Sequence, residues 1–173
     1  MNLLLTGKPG VGKTTVIQKV LARLDREAGG FTTQEIRRTG TRVGFSIRAV
    51  DSGQEGILAH VDISSPHRVG KYAVNVGDME RVGVAALIRA TRSGSMIVMD
   101  EIGRMENFCA SFQQAVRQAL DAPQNVLGTL QMRSTPFLNG IRERPDVTIR
   151  LVTGRNRDDL PERLVALLEG VNS

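Results

Sequence analysis

The chain is poor in cysteine and in long apolar runs. Of its 173 residues only Cys109 is a cysteine, so no internal disulfide can form and a reducing cytoplasm is the expected location. No stretch approaches the roughly 20 apolar residues of a membrane span. No basic segment precedes the first apolar run, as it would in a signal peptide. The sequence therefore predicts a cytoplasmic protein that has no membrane partner.

Aromatic residues are also scarce, at 3% of the chain, with no Trp and a single Tyr. Base-stacking platforms for nucleic acid are therefore few, although the formal net charge is +5. The basic residues are mostly arginines scattered among carboxylates. Nucleic-acid binding is compatible with this charge but is not favoured. His60 and His67 lack partners at metal-ligand spacing, which argues against a zinc site.

The most informative segment is the run Gly7-Lys8-Pro9-Gly10-Val11-Gly12-Lys13-Thr14, which fits the phosphate-binding pattern G-x-x-x-x-G-K-[ST]. It lies between a short apolar strand at 3–5 and a helix predicted over 15–26, which is the context that the pattern needs. The glycines let backbone N–H groups approach phosphate oxygens, and the helix N-terminus adds unpaired donors. We expect this run and Thr15 to bind a nucleoside triphosphate. Lys13 is expected to bridge the β- and γ-phosphates, and Thr14 to ligate Mg²⁺.

A second motif is the apolar strand predicted over 95–99, which ends in the acidic pair Asp100-Glu101. Asp100 is expected to orient Mg²⁺ opposite Thr14. Glu101 can act as general base on a water in line with the γ-phosphate. The alternative is a strand end capped by two solvated acids, and the preceding phosphate-binding loop makes it less favoured.

The remaining periodicity predicts one α/β domain over 1–173, an open and mostly parallel sheet with helices on both faces. Alternating runs over 31–37, 42–50 and 56–61, separated by turn residues, predict an antiparallel meander that extends this sheet. Further strands are predicted over 125–130 and 147–152, and a short strand or extended segment over 72–76. Further helices are predicted over 78–92 with Asp78 as cap, over 107–120 with Asn107 as cap, and over 159–169.

Several segments carry a resemblance to one known family. They are Gly7–Thr15, Gly30–Arg37, Arg42–Phe45, Val69–Val76, Asp100–Glu106 and Asn156–Asp158. In this order they resemble the small P-loop nucleoside-triphosphatase family first recognised in thermophiles, also called the cancer-related NTPase family. The resemblance spans nearly the whole chain, and it implies a three-layer, RecA-like core. It also implies slow, Mg²⁺-dependent hydrolysis of ATP, GTP and other triphosphates with little base preference.

The chain departs from the family pattern at two positions. Thr135-Pro136 stands where many relatives have His-Pro, which puts any active-site role of that histidine in doubt here. Asn107 stands where members often carry leucine, a change expected to affect only how the helix starts.

Charged residues outside the two motifs leave alternatives open. Arg104 can be an arginine finger in cis or an exposed loop residue. Arg157 can flank the nucleobase, reach the γ-phosphate, or form a helix-start salt bridge. Glu35 and Arg37 can bind a second substrate or the attacking water, or form a cross-strand ion pair.

The predicted function is Mg²⁺-dependent hydrolysis of nucleoside triphosphates to the diphosphate and phosphate. One alternative is a kinase that passes the γ-phosphate to a small-molecule or polynucleotide acceptor at the meander, with Glu35 as base. Another is a nucleotide-gated binding switch that hydrolysis resets. The sequence gives neither the preferred base nor the oligomeric state, for which a monomer is the favoured interpretation.

Overall fold

One mixed sheet organises the chain, and the computed structural model describes residues 1–24 and 26–170. The strands in these residues are β1 (Asn2–Thr6), β2 (Ala28–Arg38), β3 (Thr41–Ala49), β4 (Glu55–His60), β5 (Arg68–Val69), β6 (Tyr72–Val74), β7 (Met96–Ile102), β8 (Val126–Leu130) and β9 (Val147–Leu151). The helices are α1 (Lys13–Leu21), α2 (Val76–Asp78), α3 (Ala85–Ser93), α4 (Ala110–Asp121), α5 (Pro136–Arg142) and α6 (Leu160–Glu169). A π-helical segment, Met79–Val84, joins α2 to α3, and a 3₁₀ turn, Met105–Phe108, precedes α4.

The strands lie in the order β5-β6-β4-β3-β2-β7-β8-β1-β9. From β2 to β9 every neighbouring pair is parallel, and the pairs on the other side of β2 are antiparallel. The α/β fold and its antiparallel extension are thus confirmed. Because β8 lies between β1 and β7, the carboxyl ends of these three strands meet at one edge, where ligands bind in such sheets.

The central parallel strands β1, β7 and β8 are mostly apolar and buried because helices cover both of their faces, whereas the edge strand β9 is largely exposed. Along β1, Leu4 packs into one core cluster with Phe112 of α4. Its neighbours Leu3 and Leu5 face the other cluster, with Ile17 of α1. Successive side chains of a strand point to opposite faces, so a short run of leucines anchors the phosphate-binding loop to both layers. No helix of the described residues is long and apolar enough to cross a bilayer.

The first helix is shorter than predicted. α1 begins at Lys13, directly after Gly12, whose φ of 107° starts the helix from a left-handed residue. It ends at Leu21, and the backbone N–H groups of Arg23 and Leu24 both donate to the Val20 carbonyl oxygen just beyond that point. Asp25, inside the helix predicted over 15–26, lies outside the described residues.

Two predicted helix caps are wrong. Asn75, not Asp78, caps the helix that leads into α3, and its Oδ1 accepts from the Asp78 N–H at 3.1 Å. The Asp78 carboxylate instead accepts from the N–H of Ile57 in β4 at 2.7 Å, a tertiary partner that local pattern does not show. Asn107 lies within the 3₁₀ turn, so α4 starts only at Ala110.

Candidate active site

The loop between β1 and α1 is shaped by close backbone approaches. Gly7 has φ 152°, and a Cβ there would meet the carbonyl oxygen of Val152 at 2.7 Å. A side chain at this position would therefore push the loop away from β9. The loop then leads directly into α1, whose first-turn N–H groups have no partners within the helix. This is the cradle that the sequence predicts for phosphate oxygens.

Lys13 lies along the inside of this loop. Its Nζ donates to the carbonyl oxygens of Gly7 at 3.2 Å and Lys8 at 3.4 Å. The same Nζ is 3.5 Å from Oε1 of Glu101, and the Lys13 side chain is only 10% exposed. The cation is therefore held between the loop and the acidic end of β7, where the phosphates are expected.

Asp100 is nearly inaccessible, at 1% exposure. Its Oδ1 accepts from the Thr129 hydroxyl of β8 at 2.7 Å, and its Oδ2 has no partner among residues 1–24 and 26–170. Burial raises the pKa of this carboxyl, and the hydrogen bond from the Thr129 hydroxyl and the nearby Thr14 hydroxyl act in the opposite direction. A buried carboxylate oxygen without a partner, close to the Thr14 hydroxyl, suits a hard cation such as Mg²⁺, which prefers oxygen ligands.

Glu101 is held in place from β8 as well as from the loop. Gln131, just after β8, donates from Nε2 to Glu101 Oε2 at 3.1 Å, and its Oε1 accepts from the Arg104 N–H at 3.2 Å. The carbonyl of Gln131 accepts in turn from the guanidinium of Arg142 in α5. Arg142 also donates to the Arg133 carbonyl at 2.8 Å, which ties the segment after β8 to α5. Glu101 thus has a fixed position at the edge of the site.

A second carboxylate, Glu106, is buried in the turn that follows Glu101. Its Oε2 accepts from the Gly103 N–H at 2.9 Å. Burial raises the pKa of Glu106 to about 7, helped by the nearby charge of Glu101 and opposed by hydrogen bonds from the backbone. A Cβ on Gly103 would lie 2.5 Å from the Gln131 side chain. The turn and the Gln131 amide are therefore packed as one unit behind Glu101.

A cavity of about 960 Å³ opens between the phosphate-binding loop and the meander. Arg104 is exposed and lines it, and the Arg104 guanidinium has no partner within the part of the chain that the structure describes. The lining includes the loop residues Gly7, Pro9, Gly10, Gly12, Lys13, Thr14 and Thr15, together with Glu101. Both sequence motifs therefore contribute to one site.

Two other candidates are placed differently. Arg157, after β9, lies against the outside of the loop, with Nη1 3.5 Å from the Val11 carbonyl oxygen, and it does not line the cavity. Glu35 accepts from Arg37 at 2.5 Å and from Arg42 at 2.8 Å, so the structure contains an ion-pair arrangement there. The hydrogen bond from Arg42 is the largest influence on the Glu35 carboxyl, and it lowers its pKa. A carboxylate with a lowered pKa is a weaker base.

Thr129, Gln131 and Glu106 are site residues that the sequence motifs do not indicate. Thr129 lies in β8 and Gln131 lies just beyond it. The carboxyl end of β8 lies beside those of β1 and β7. The sheet-edge rule applied to this third strand was a signal that could have found both. Glu106 carries no such signal, because its importance depends on burial.

Comparison with known proteins agrees with this geometry. A family model described as NTPase matches residues 2–165. The nucleoside-triphosphatase THEP1 of Thermotoga sp. (strain RQ2) is 45% identical over 169 residues, covering 98% of this chain and 96% of the relative. The protein of the same name from Thermofilum pendens is 46% identical over 168 residues, covering 94% and 92%.

Two solved structures are similar over nearly their whole length. The crystal structure of THEP1 from the hyperthermophile Aquifex aeolicus has a TM-score of 0.89 at 38% identity and covers 98% of this chain and 99% of its own. The solution structure of a human cancer-related nucleoside triphosphatase has a TM-score of 0.82 at 36% identity, with 99% of each chain covered.

Proposed function

Because the chain belongs to the NTPase family whose model it matches and is a nucleoside-triphosphatase, we propose that it hydrolyses triphosphates with Mg²⁺ and with Glu101 as general base. The observation that carries this proposal is the ion pair between Lys13 Nζ and Glu101 Oε1, 3.5 Å apart on the inner side of the phosphate-binding loop. Family membership confirms the resemblance seen in the sequence.

The residues that would hold Mg²⁺ are Thr14 and Asp100. The support for this assignment is the buried Asp100 Oδ2 that lacks a partner in residues 1–24 and 26–170. A bound Mg²⁺ supplies charge neutralisation to the β- and γ-phosphate oxygens. The Thr129 hydroxyl fixes the orientation of the Asp100 carboxylate, so Thr129 acts as a positioning residue.

In the proposed reaction a water oxygen attacks the γ-phosphorus while the bond to the bridging oxygen of the diphosphate breaks. Glu101 accepts the proton of that water. Lys13 and the loop N–H groups stabilise the charge that develops on the phosphate oxygens, and Arg104 adds a further positive charge from the cavity wall. Gln131 holds the Glu101 carboxylate at this position through its 3.1 Å hydrogen bond.

We also propose that the enzyme accepts ATP, GTP and other triphosphates with little discrimination. The residues assigned to the proposed reaction would act on the triphosphate chain, Mg²⁺ and water, and every nucleoside triphosphate has the same triphosphate chain. The sequence contains no Asn-Lys-x-Asp segment of the kind that reads guanine. Arg157, beside Val11 on the outer side of the loop, is the side chain proposed to flank the base, and a guanidinium plane stacks on any base.

The test is phosphate release from ATP, GTP, CTP and UTP, each with Mg²⁺ and with excess EDTA. We expect kcat/KM values within about tenfold of one another, because a stacking contact does not select among bases. EDTA should abolish release with all four. Turnover confined to one base, or turnover that persists in EDTA, would contradict the proposal.

A further inference from the structure

The cavity beside the phosphate-binding loop extends beyond the place of the triphosphate chain. Its volume of about 960 Å³ lies near the upper end of the roughly 300–1,000 Å³ found for sites that enclose a whole drug-sized ligand. From Lys13 and Glu101 it continues to β2, β3 and β6, which lie on the far side of β7 from β1. This part of the cavity therefore faces the γ-phosphate end of a bound triphosphate.

Aromatic side chains are concentrated in that part. The chain has five phenylalanines, one tyrosine and no tryptophan, yet Phe45 and Tyr72 both line it. Their ring centroids are 5.2 Å apart. The guanidinium of Arg42 lies 5.1 Å from the Phe45 centroid and 5.7 Å from that of Tyr72.

Arg42 is fixed in this position by two hydrogen bonds. It donates to the Tyr72 hydroxyl at 2.9 Å and to Glu35 at 2.8 Å. The three side chains Arg42, Phe45 and Tyr72, here named the stacking cluster, therefore form a rigid aromatic and cationic group, in which Arg42 and Phe45 are half-buried and Tyr72 is buried behind them. Nucleobases stack on such groups.

Polar groups for the rest of a nucleotide lie nearby. Thr33, on β2, lines the cavity, and its side chain makes no hydrogen bond within residues 1–24 and 26–170, so it can meet a base edge. Arg104 and Arg133 also line the cavity, and their guanidinium groups have no partner in the same residues. Arginine is well suited to bind phosphate through two parallel hydrogen bonds.

We propose that this part of the cavity binds a nucleoside 5′-monophosphate as a phosphoryl acceptor, its base on the stacking cluster and its phosphate toward Arg104 and Arg133. The proposal rests on the proposed function, because both use the same bound triphosphate. An oxygen of the monophosphate forms a bond to the γ-phosphorus while the bond to the bridging oxygen of the diphosphate breaks. Two nucleoside diphosphates result. The acceptor phosphate reacts as a dianion, so this transfer needs no general base.

Binding is tested by calorimetric titration of AMP, GMP, CMP and UMP into the protein with Mg²⁺ and a non-hydrolysable ATP analogue. We expect at least one monophosphate to bind and Phe45→Leu to weaken it about tenfold, or about 1.4 kcal/mol. Phe108→Leu is the matched control, because that half-buried ring stacks on His67 outside the cavity. Arg133→Ala, at an exposed position, removes a phosphate contact and should also weaken binding. The proposal fails if no monophosphate binds, or if both Phe45→Leu and Arg133→Ala bind it as the wild type does.

Transfer is tested with ATP labelled at the γ-phosphate and the monophosphate that binds. We expect labelled nucleoside diphosphate from the wild type and from Glu101→Gln, while labelled free phosphate falls sharply in Glu101→Gln. Label that appears only in free phosphate overturns the acceptor role. Absence of phosphate release by the wild type without any monophosphate contradicts the proposed hydrolysis instead, so the two failures are distinguishable.

Discussion

Charged side chains have opposite environments in two regions of the sheet. These regions are the parallel half (β1, β7, β8 and β9) and the meander (β3 to β6 with the outer end of β2). In the meander, carboxylates form exposed pairs with arginines, as Glu35 does with Arg42 and Asp62 does with Arg38. In the parallel half, Asp100 and Glu106 are buried, and Asp100 keeps one oxygen without a partner in the residues that the structure describes.

Exposed, paired carboxylates and buried, unpaired ones have different energetic consequences. An exposed ion pair contributes about 0–1 kcal/mol to stability, so the pairs of the meander are minor structural contacts. A buried carboxylate oxygen without a partner costs about 1–3 kcal/mol or more. Asp100 therefore destabilises the fold unless it has a ligand to bind. The buried carboxylate oxygen that the fold leaves without a partner marks the expected metal site, whereas the exposed Glu35 and Asp62 pairs are not expected to take part in hydrolysis.

A large effect is expected from exchanging a lysine of the site for alanine. Lys13→Ala should lower kcat/KM for ATP by about 10² to 10³, because it removes a cation that stabilises the phosphate oxygens in the transition state. Lys19→Ala on the same helix is the control, since Lys19 is 3.9 Å from Asp158 and half exposed. Steady-state phosphate release measures both. Equal effects of the two substitutions would remove the distinction between the site and the surface.

The elements around Lys13 could be predicted because their signals are local. An apolar run predicted β1, the glycine pattern predicted the loop, and helical periodicity predicted α1. Turn residues between alternating runs predicted the meander. Helix α5 was missed, although Thr135 caps it by accepting from the Leu138 N–H at 3.2 Å.

What could not be predicted depends on tertiary contacts. The Asp78 carboxylate accepts a hydrogen bond from the backbone of β4, and Asn75 caps the helix instead. The hydrogen bond from Gln131 to Glu101 forms only because β7 and β8 are neighbours in space. Glu106 looks like an ordinary surface acid in the sequence, and only its burial distinguishes it.

The buried half should also respond to pH more strongly than the meander. Glu106 has a pKa of about 7 in the folded protein against an ordinary 4.5. Between these values the folded state keeps a proton that the unfolded chain has lost, so stability falls as pH rises through this window. Glu106→Gln cannot titrate, and we expect its free energy of unfolding to gain about 3 kcal/mol on the wild type between pH 4.5 and pH 8.5. Urea unfolding across that range measures the difference. Parallel curves for the two proteins would contradict a buried, titrating Glu106.

A smaller effect is expected at the residue that positions Glu101. Gln131→Ala should lower kcat about tenfold with little change in KM, because it frees the carboxylate without touching the phosphate cradle. Gln124→Ala is the matched control at the other end of β8, where Gln124 donates to the Thr91 carbonyl at 2.7 Å. A rise in KM with unchanged kcat would show that Gln131 serves binding instead.

The smallest effect is expected in the meander. Glu35→Gln weakens an arginine cluster in which the Glu35 side chain is 39% exposed. We expect a loss of about 1 kcal/mol or less in the free energy of unfolding. The loss should shrink as pH falls, because the folded-state pKa of Glu35 is lowered and the contribution disappears when the group is protonated. Phosphate release should stay within about twofold of the wild type. A large drop in release would give the meander carboxylate a part in hydrolysis.

The role of Glu101 is tested most directly by single-turnover phosphate release from Mg·ATP by Glu101→Gln, with ATP affinity measured on the same sample. Glutamine keeps the size of the side chain and loses the ability to accept a proton. The account predicts a release rate lower by about 10² to 10⁴ with ATP affinity retained. Release at the wild-type rate by a variant that binds ATP normally would contradict Glu101 as the base.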